Sequence, residues 1–235
     1  NMSHEIRTPM NGIIGITNIL LEEKPKKSQF QNLQTLKYSA ENLMALLNDI
    51  LDFSKMEAGK LNINRTQISL NQIALGIYNT FKYVAQKKDI ELRLHVDNEI
   101  PANLTSDPVR INQLISILMA IAIKFTDSGF VELNISLQKE LKNSAKVRFS
   151  INDTGIGIPI EKQKLIFQEF TQANINTTRK YGGTGLGLAI SERLVSLLGG
   201  KLEITSSIGK GSSFFFTLNL SKSKATKPES ENSKS

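Results

Sequence analysis

Two apolar repeats of seven-residue period, separated by one proline-bearing break, dictate what the first quarter of this chain can fold into. In the first, Ile6, Met10, Ile13, Thr17 and Leu20 recur at spacings of three and four. In the second, Leu33, Leu36, Ala40, Leu43, Leu47, Ile50 and Ser54 keep that alternation for three heptads. This period lines residues up along one side of an α-helix, so it predicts two helices. Lys24-Pro25-Lys26-Lys27 interrupts the pattern and closes the pair into a hairpin. Two helices cannot bury both of their faces alone, and Met44, Leu46, Leu51 and Phe53 widen the apolar stripe. Dimerisation into a four-helix bundle is the expected solution.

Beyond about residue 63 the periodicity changes. Ile90, Leu92, Leu94 and Val96 alternate with Glu91, Arg93, His95 and Asp97, the pattern of a half-buried strand, which turns His95 outward among charges without a role. Further alternating strands are Val131-Leu133-Ile135-Leu137, Val147-Phe149-Ile151 and Phe214-Phe216-Leu218-Leu220. Helical segments are expected near 71–87, 108–124, 160–170 and 187–198. Strands facing one helical layer make an α/β sandwich open on one side, so the whole chain is of the α+β class. After Leu220 the sequence is polar and lysine-rich, a disordered linker or tail. The expected domains are 1–62, 63–221 and a tail at 222–235.

Composition narrows the function classes. The chain has no cysteine, which excludes disulfides and thiolate metal sites. The net charge of +7 comes from scattered residues, and with no tryptophan and no basic stripe a nucleic-acid groove is not expected. The longest apolar run, Leu114 to Ile123 with only Ser116 interrupting, would cover roughly 15 Å as a helix and reads as core; no membrane contact within this fragment and no signal peptide are expected. The opening Asn-Met-Ser-His lies in mid-helix, as in a fragment of a longer protein.

His4 is one of two histidines and starts an amphipathic helix in the run Ser3-His4-Glu5-Ile6-Arg7-Thr8-Pro9. Two residues from Ile6, it should point away from the seam, with Thr8 one turn on. Pro9 cannot donate to the Glu5 carbonyl and should bend the helix there. A neutral imidazole with a pKa of about 6.5 is a competent nucleophile at cell pH, although an exposed histidine by itself is usually inert. Downstream, Asp153-Thr154-Gly155-Ile156-Gly157-Ile158 follows a strand: a carboxylate beside glycines can accept from an exocyclic amine such as adenine N6. In Tyr181-Gly182-Gly183-Thr184-Gly185-Leu186-Gly187, glycine N–H groups and a following helix N-terminus suit phosphates. The polar stretch before it, Thr171 to Lys180, reads as a lid, and neither a Rossmann nor a Walker loop fits. Gly209-Lys210-Gly211-Ser212 reads as a hairpin turn that need be nothing more.

Together these segments resemble the dimerisation and catalytic domains of sensor histidine kinases, especially the hybrid type, over residues 1 to about 220. The run from Ser3 to Pro9 is similar to the family's phosphoacceptor box, and Asp153 to Gly157 to its adenine box. Ile166-Phe167-Gln168-Glu169-Phe170 resembles the phenylalanine box, and Gly183-Thr184-Gly185-Leu186-Gly187-Leu188 the phosphate-loop box. The resemblance implies ATP as donor, His4 as acceptor of its γ-phosphate, Glu5 as proton acceptor, and Thr8 as the residue orienting water in a reverse, phosphatase reaction. It implies adenine recognition by Asp153, with Gly155, Gly157, Phe167 and Phe170 shaping the site. Lys124, Arg179 and Lys180 would meet phosphate charge, and Gly183, Thr184, Gly185, Leu186 and Gly187 would close over it. It also implies a homodimer, a receiver-domain aspartate (on the same polypeptide or another) as the next acceptor, and a cytoplasmic location, as in the inner part of a membrane-anchored sensor.

One motif departs from the family. On the helix Arg110 to Thr126 the flanks Asp107, Arg110 and Lys124-Phe125-Thr126 match, but Ile117 and Ile121 stand where the family carries two asparagines. The second asparagine would give Mg²⁺ an oxygen ligand; isoleucine has none. Phosphoryl transfer leans on that metal, so reduced or absent autokinase activity is expected of this histidine kinase, with a degenerate member acting as a phosphatase or non-catalytic dimeric scaffold as the alternative. A related ATPase of the topoisomerase, mismatch-repair or chaperone kind would need a glutamate base on this helix. Val109 to Lys124 contains no carboxylate.

Overall fold

A computed structural model describes residues 2–168 and 185–223, apart from the side chains of residues 2–4, 42, 45, 46, 49, 52 and 53. The chain divides into two compact units, Asn1–Leu61 and Asn62–Ser235.

The first unit is the expected hairpin. Helix α1 (Met2–Glu22) and helix α2 (Lys27–Glu57) are joined by a four-residue link containing Pro25. They run antiparallel, with Arg7 Nη2 donating to Asn48 Oδ1 at 3.4 Å. α1 continues unbroken through Pro9. The heptad pattern splits into two rows with different fates. Met10 and Thr17 on α1 and Ala40 on α2 are buried, and Thr17 Oγ1 donates back to the Ile13 carbonyl at 2.6 Å. The alternate rows stay open: Ile6, Ile13 and Leu20 are 38–41% exposed, and Leu36, Leu43 and Ile50 are 47–50% exposed. One hairpin therefore covers one row, with Leu33 and Leu47 half-buried in it, and leaves the other open among the described residues.

The second unit is a mixed sheet under a helical layer. Its elements are β1 (Thr66–Ile68), α3 (Leu70–Lys87), β2 (Ile90–Val96), β3 (Leu104–Ser106), α4 (Pro108–Phe125), β4 (Gly129–Glu140), β5 (Ser144–Asp153), α5 (Gly187–Leu197), β6 (Leu202–Ser207) and β7 (Gly211–Lys222). The order is β1-β3-β7-β5-β4-β2, with β6 also paired to β7. Only β2 and β4 are parallel, the pair whose connection carries α4. Alternation decides the faces: Val131, Leu133, Ile135, Val147, Phe149, Ile151, Phe214, Phe216 and Leu218 are all buried against the helices. Phe149 and Phe216 are stacked with centroids 4.9 Å apart. The other face is polar and open, with Arg93 over the Phe130 ring and Arg148 over Phe215.

α4 is the core helix. Ile111, Leu114, Ile115, Leu118, Met119, Ala122 and Ile123 are buried, so its apolar length serves packing. Asp107 starts it: Oδ1 accepts from the N–H of Val109 and Arg110 at 3.0 and 3.1 Å, and Oδ2 from Asn64 N–H at 2.9 Å. Lys88 finishes it, its Nζ donating to the carbonyls of Ile123, Lys124 and Thr126.

The expected helix at 160–170 is not continuous over its described part. Two short 3₁₀ turns, Ile160–Lys162 and Leu165–Phe167, take its place. Only Ile166 is buried there, while Ile160 is 81% exposed, so an α-helix would have no apolar stripe to bury. Gln163 Nε2 instead donates to the carbonyls of Ile158 and Ser206, both at 2.9 Å, pinning the segment to β6.

Candidate functional site

Helix α4 forms one wall of the candidate nucleotide site. Ile117, Ile121, Lys124 and Phe125 follow one another along one side of it, all half-buried, over about 12 Å. The C-terminal end of this row meets the loop after β5. Ile156 N–H donates to the Phe125 carbonyl at 3.3 Å. A Cβ on Gly155 would collide with that same carbonyl, so only glycine lets the loop pass. The N-terminal end of the row meets α5, where Gly187 lies against Ile117 and Ile121.

Asp153 ends β5 and is 8% exposed. Its Oδ1 accepts from Gly155 N–H at 2.8 Å and from Ser212 N–H at 3.2 Å. Burial pushes its carboxyl above the ordinary carboxylate range, and the two backbone bonds only partly offset that. A carboxylate with one oxygen fixed and a dry environment favours a ligand N–H on the other oxygen.

The loop carrying Gly155 and Gly157 is sewn to the β6–β7 hairpin. Gly209 N–H donates to the Ile156 carbonyl and Ile158 N–H to Ser206 Oγ, both at 2.8 Å. The turn at Gly209–Ser212 is thus more than a connection. Gly211, at φ +85°, makes room for the Asp153 backbone carbonyl, and Ser212 supplies the second donor to the carboxylate. Sequence reasoning did not single out Ser206, Ser212 or Phe125 for this site. Ser212 lies 59 residues from Asp153, and no local pattern marks such a pairing.

At the other end, Gly185 adopts φ +74° and Leu186 is buried at the entrance to α5. Side chains of Ser69 and Asp107 cap α3 and α4, whereas Leu186 gives α5 no side-chain cap. The N-terminus of a helix, where N–H groups point outward, suits a phosphate. Lys124 is half-buried, its Nζ lies 5.1 Å from the Phe125 ring centroid, and burial lowers its pKa. Phe167 is half-buried in the second 3₁₀ turn, which packs against α5.

Glu5 and Thr8 are exposed near the start of α1, where the His4 backbone is also helical. The His4 side chain, Phe170, Arg179, Lys180, Gly183 and Thr184 lie outside the described residues.

These residues fit an adenine nucleotide: an amine acceptor at the C-terminal end of α4 and a glycine-led helix N-terminus beside Ile117 and Ile121, two turns earlier on the same helix. They do not fit a divalent metal in the usual way, since the helix between presents isoleucine. Among the described residues no cluster of three or more His, Cys, Asp or Glu side chains could hold a metal ion.

Fold and site together define a nucleotide-binding domain of the kinase, gyrase and chaperone ATPase class. Residues 106–222 match the family of histidine kinase-, DNA gyrase B- and HSP90-like ATPases, and residues 1–59 match the His kinase A (phospho-acceptor) domain. The chain belongs to the sensor histidine kinase family. It is 41% identical over 232 residues to sensor protein GacS of Pseudomonas syringae pv. syringae, covering 99% of this chain and 26% of the relative. Signal transduction histidine-protein kinase BarA of Escherichia coli K12 is 40% identical over 220 residues, 94% of this chain and 24% of BarA. The chain thus spans about a quarter of the length of these relatives. Among solved structures, full-length ShkA in complex with AMPPNP superposes with a TM-score of 0.78 at 30% identity, covering 95% of this chain and 46% of ShkA.

Proposed function

We propose that this chain is the phosphoacceptor and ATP-binding core of a hybrid-type histidine kinase in a phosphorelay. The observation that carries the reading is the pairing of Asp153 and its glycine loop at the C-terminal end of α4 with the Gly185–Gly187 entrance of α5 beside Ile117 and Ile121 of the same helix, on a chain with a phosphoacceptor domain. Residues 1–62 serve as the dimerisation and phosphotransfer domain, and 63–221 as the catalytic domain, with 222–235 as a linker. Asp153 takes the adenine amine. The N–H groups around Gly183 to Gly187, with Lys124, Arg179 and Lys180, meet the phosphates.

In the transfer, an imidazole nitrogen of His4 attacks the γ-phosphorus of ATP. The N–P bond forms as the bond to the β,γ-bridging oxygen breaks, ADP departs, and Glu5 accepts the imidazole proton. A receiver aspartate then takes the phosphoryl group, leaving His4 free. Thr8 orients water for the reverse, hydrolytic reaction.

The open rows Ile6-Ile13-Leu20 and Leu36-Leu43-Ile50 support a homodimer closed by a four-helix bundle. By kinship with sensor proteins, the chain is the cytoplasmic part of a longer polypeptide. Ile117 and Ile121 favour a second reading, in which autokinase activity is feeble and the chain acts as a phosphatase or signalling scaffold that receives phosphate on His4 from a partner.

The test is incubation with γ-labelled ATP, then addition of a receiver domain. Label that is acid-labile, absent from His4→Gln and passed to the receiver supports the kinase. A wild type that takes no label from ATP but takes it from a phosphorylated receiver supports the second reading; no label by either route overturns both.

A further inference from the structure

Ile117 and Ile121 sit one turn apart on the α4 face that meets α5. A Cβ built on Gly187 would lie 3.3 Å from Ile117 Cγ2 and 3.5 Å from Ile121 Cδ1. The two side chains therefore stand beside the first turn of α5, where α4 packs against it, and leave little room for any side chain at position 187. Mg²⁺ demands oxygen ligands in near-octahedral array. Along this row the neighbours offer none: Lys124 is a cation, and Gln113, one turn before Ile117, has its Oε1 engaged by Arg110 Nη1 at 2.8 Å. Asn112 and Ser116 lie round the helix, and Ser116 Oγ donates to Asn112 Oδ1 at 3.1 Å. The carboxylate at the helix start, Asp107, is spent on three backbone N–H groups.

We infer that this domain binds adenine nucleotide without a metal ligand from α4, and that apolar packing of Ile117 and Ile121 on Gly187 joins α4 to α5 in place of an ion. Phosphate charge then falls to the α5 N–H groups and the cationic side chains. Such a site is set before the nucleotide arrives, because the contact between the helices is made by the protein itself. Nucleotide affinity becomes nearly indifferent to Mg²⁺. The inference rests on the nucleotide-binding reading above and adds to it how the site manages charge.

The experiment is calorimetry of ADP and of AMP-PNP binding to the full chain, in excess Mg²⁺ and in EDTA. Wild type is expected to change its Kd by less than about fivefold between the two conditions, and Ile121→Asn to gain more than about fivefold tightening from Mg²⁺. Tightening of wild type by Mg²⁺ beyond that threshold overturns the inference and leaves nucleotide binding intact. No binding under either condition overturns the nucleotide reading and this inference with it. The wild-type comparison decides the matter even where Ile121→Asn folds poorly.

Discussion

Replacing Asp153 by asparagine is expected to move stability and nucleotide binding in opposite directions. The side chain is almost fully buried, and burial holds its pKa above the ordinary 3.8 despite hydrogen bonds from Gly155 and Ser212. The folded protein then binds this proton more tightly than the unfolded chain does. Its contribution to stability is complete below the ordinary carboxylate pKa and is lost as pH rises through the raised one. Above the raised pKa the wild type has lost it. Asparagine is neutral and nearly isosteric, and its Oδ1 can still accept from both backbone groups, so the variant should be at least as stable as wild type at pH 7. That advantage should shrink as pH falls through the raised pKa. Binding follows the other oxygen. In the variant an amide NH₂ faces the adenine amine, and a charge-assisted hydrogen bond of about 1.5–3 kcal/mol is lost. That corresponds to roughly 10- to 150-fold in Kd. Urea denaturation at pH 7 and pH 4 reads the first effect, and ADP calorimetry the second. A variant less stable than wild type by more than about 1 kcal/mol at pH 7 would show that the charge, not the shape, holds the Gly155 and Ser212 turns. An unchanged Kd would show that adenine is not its partner.

Two further changes probe the scaffold. Asp107→Ala removes the α4 cap and the Asn64 tie, at a cost of about 1–2 kcal/mol, which should lower the melting temperature of the second unit by roughly 2–8 °C in calorimetric scans. Leu43→Asp places a charge in the open row of α2. Light scattering should report a monomer with unchanged ADP affinity, and a persistent dimer would move the interface elsewhere.

Much of the architecture is legible where the governing contacts are local. The seven-residue period of Leu33 to Ser54 and the alternation of Ile90 to Val96 announce α2 and β2 directly. α4 was readable near 108–124, one residue short of its observed end at Phe125, because apolar residues surround it almost completely. The strands β1 and β3, three residues each, carry too few positions to show a period, and β6 depends on its pairing with β7. At residues 160–170 apolar spacing suggested a helix, but tethering by Gln163 and exposure of Ile160 decided otherwise.

The candidate site divides along the same line. Asp153, Gly155, Gly157 and Gly185 to Gly187 announce themselves because backbone turns and phosphate contacts demand glycine at fixed local spacing. The two isoleucines of α4 were equally visible as residue types, and their lack of an oxygen ligand needed no coordinates. What tertiary structure alone decided is where those side chains go. It set Ile117 and Ile121 against Gly187, drew Ser212 to Asp153, and divided one heptad stripe into a buried row and an open one. Each of these depends on the packing of elements distant in sequence, and a linear period records which face is apolar but not what comes to cover it.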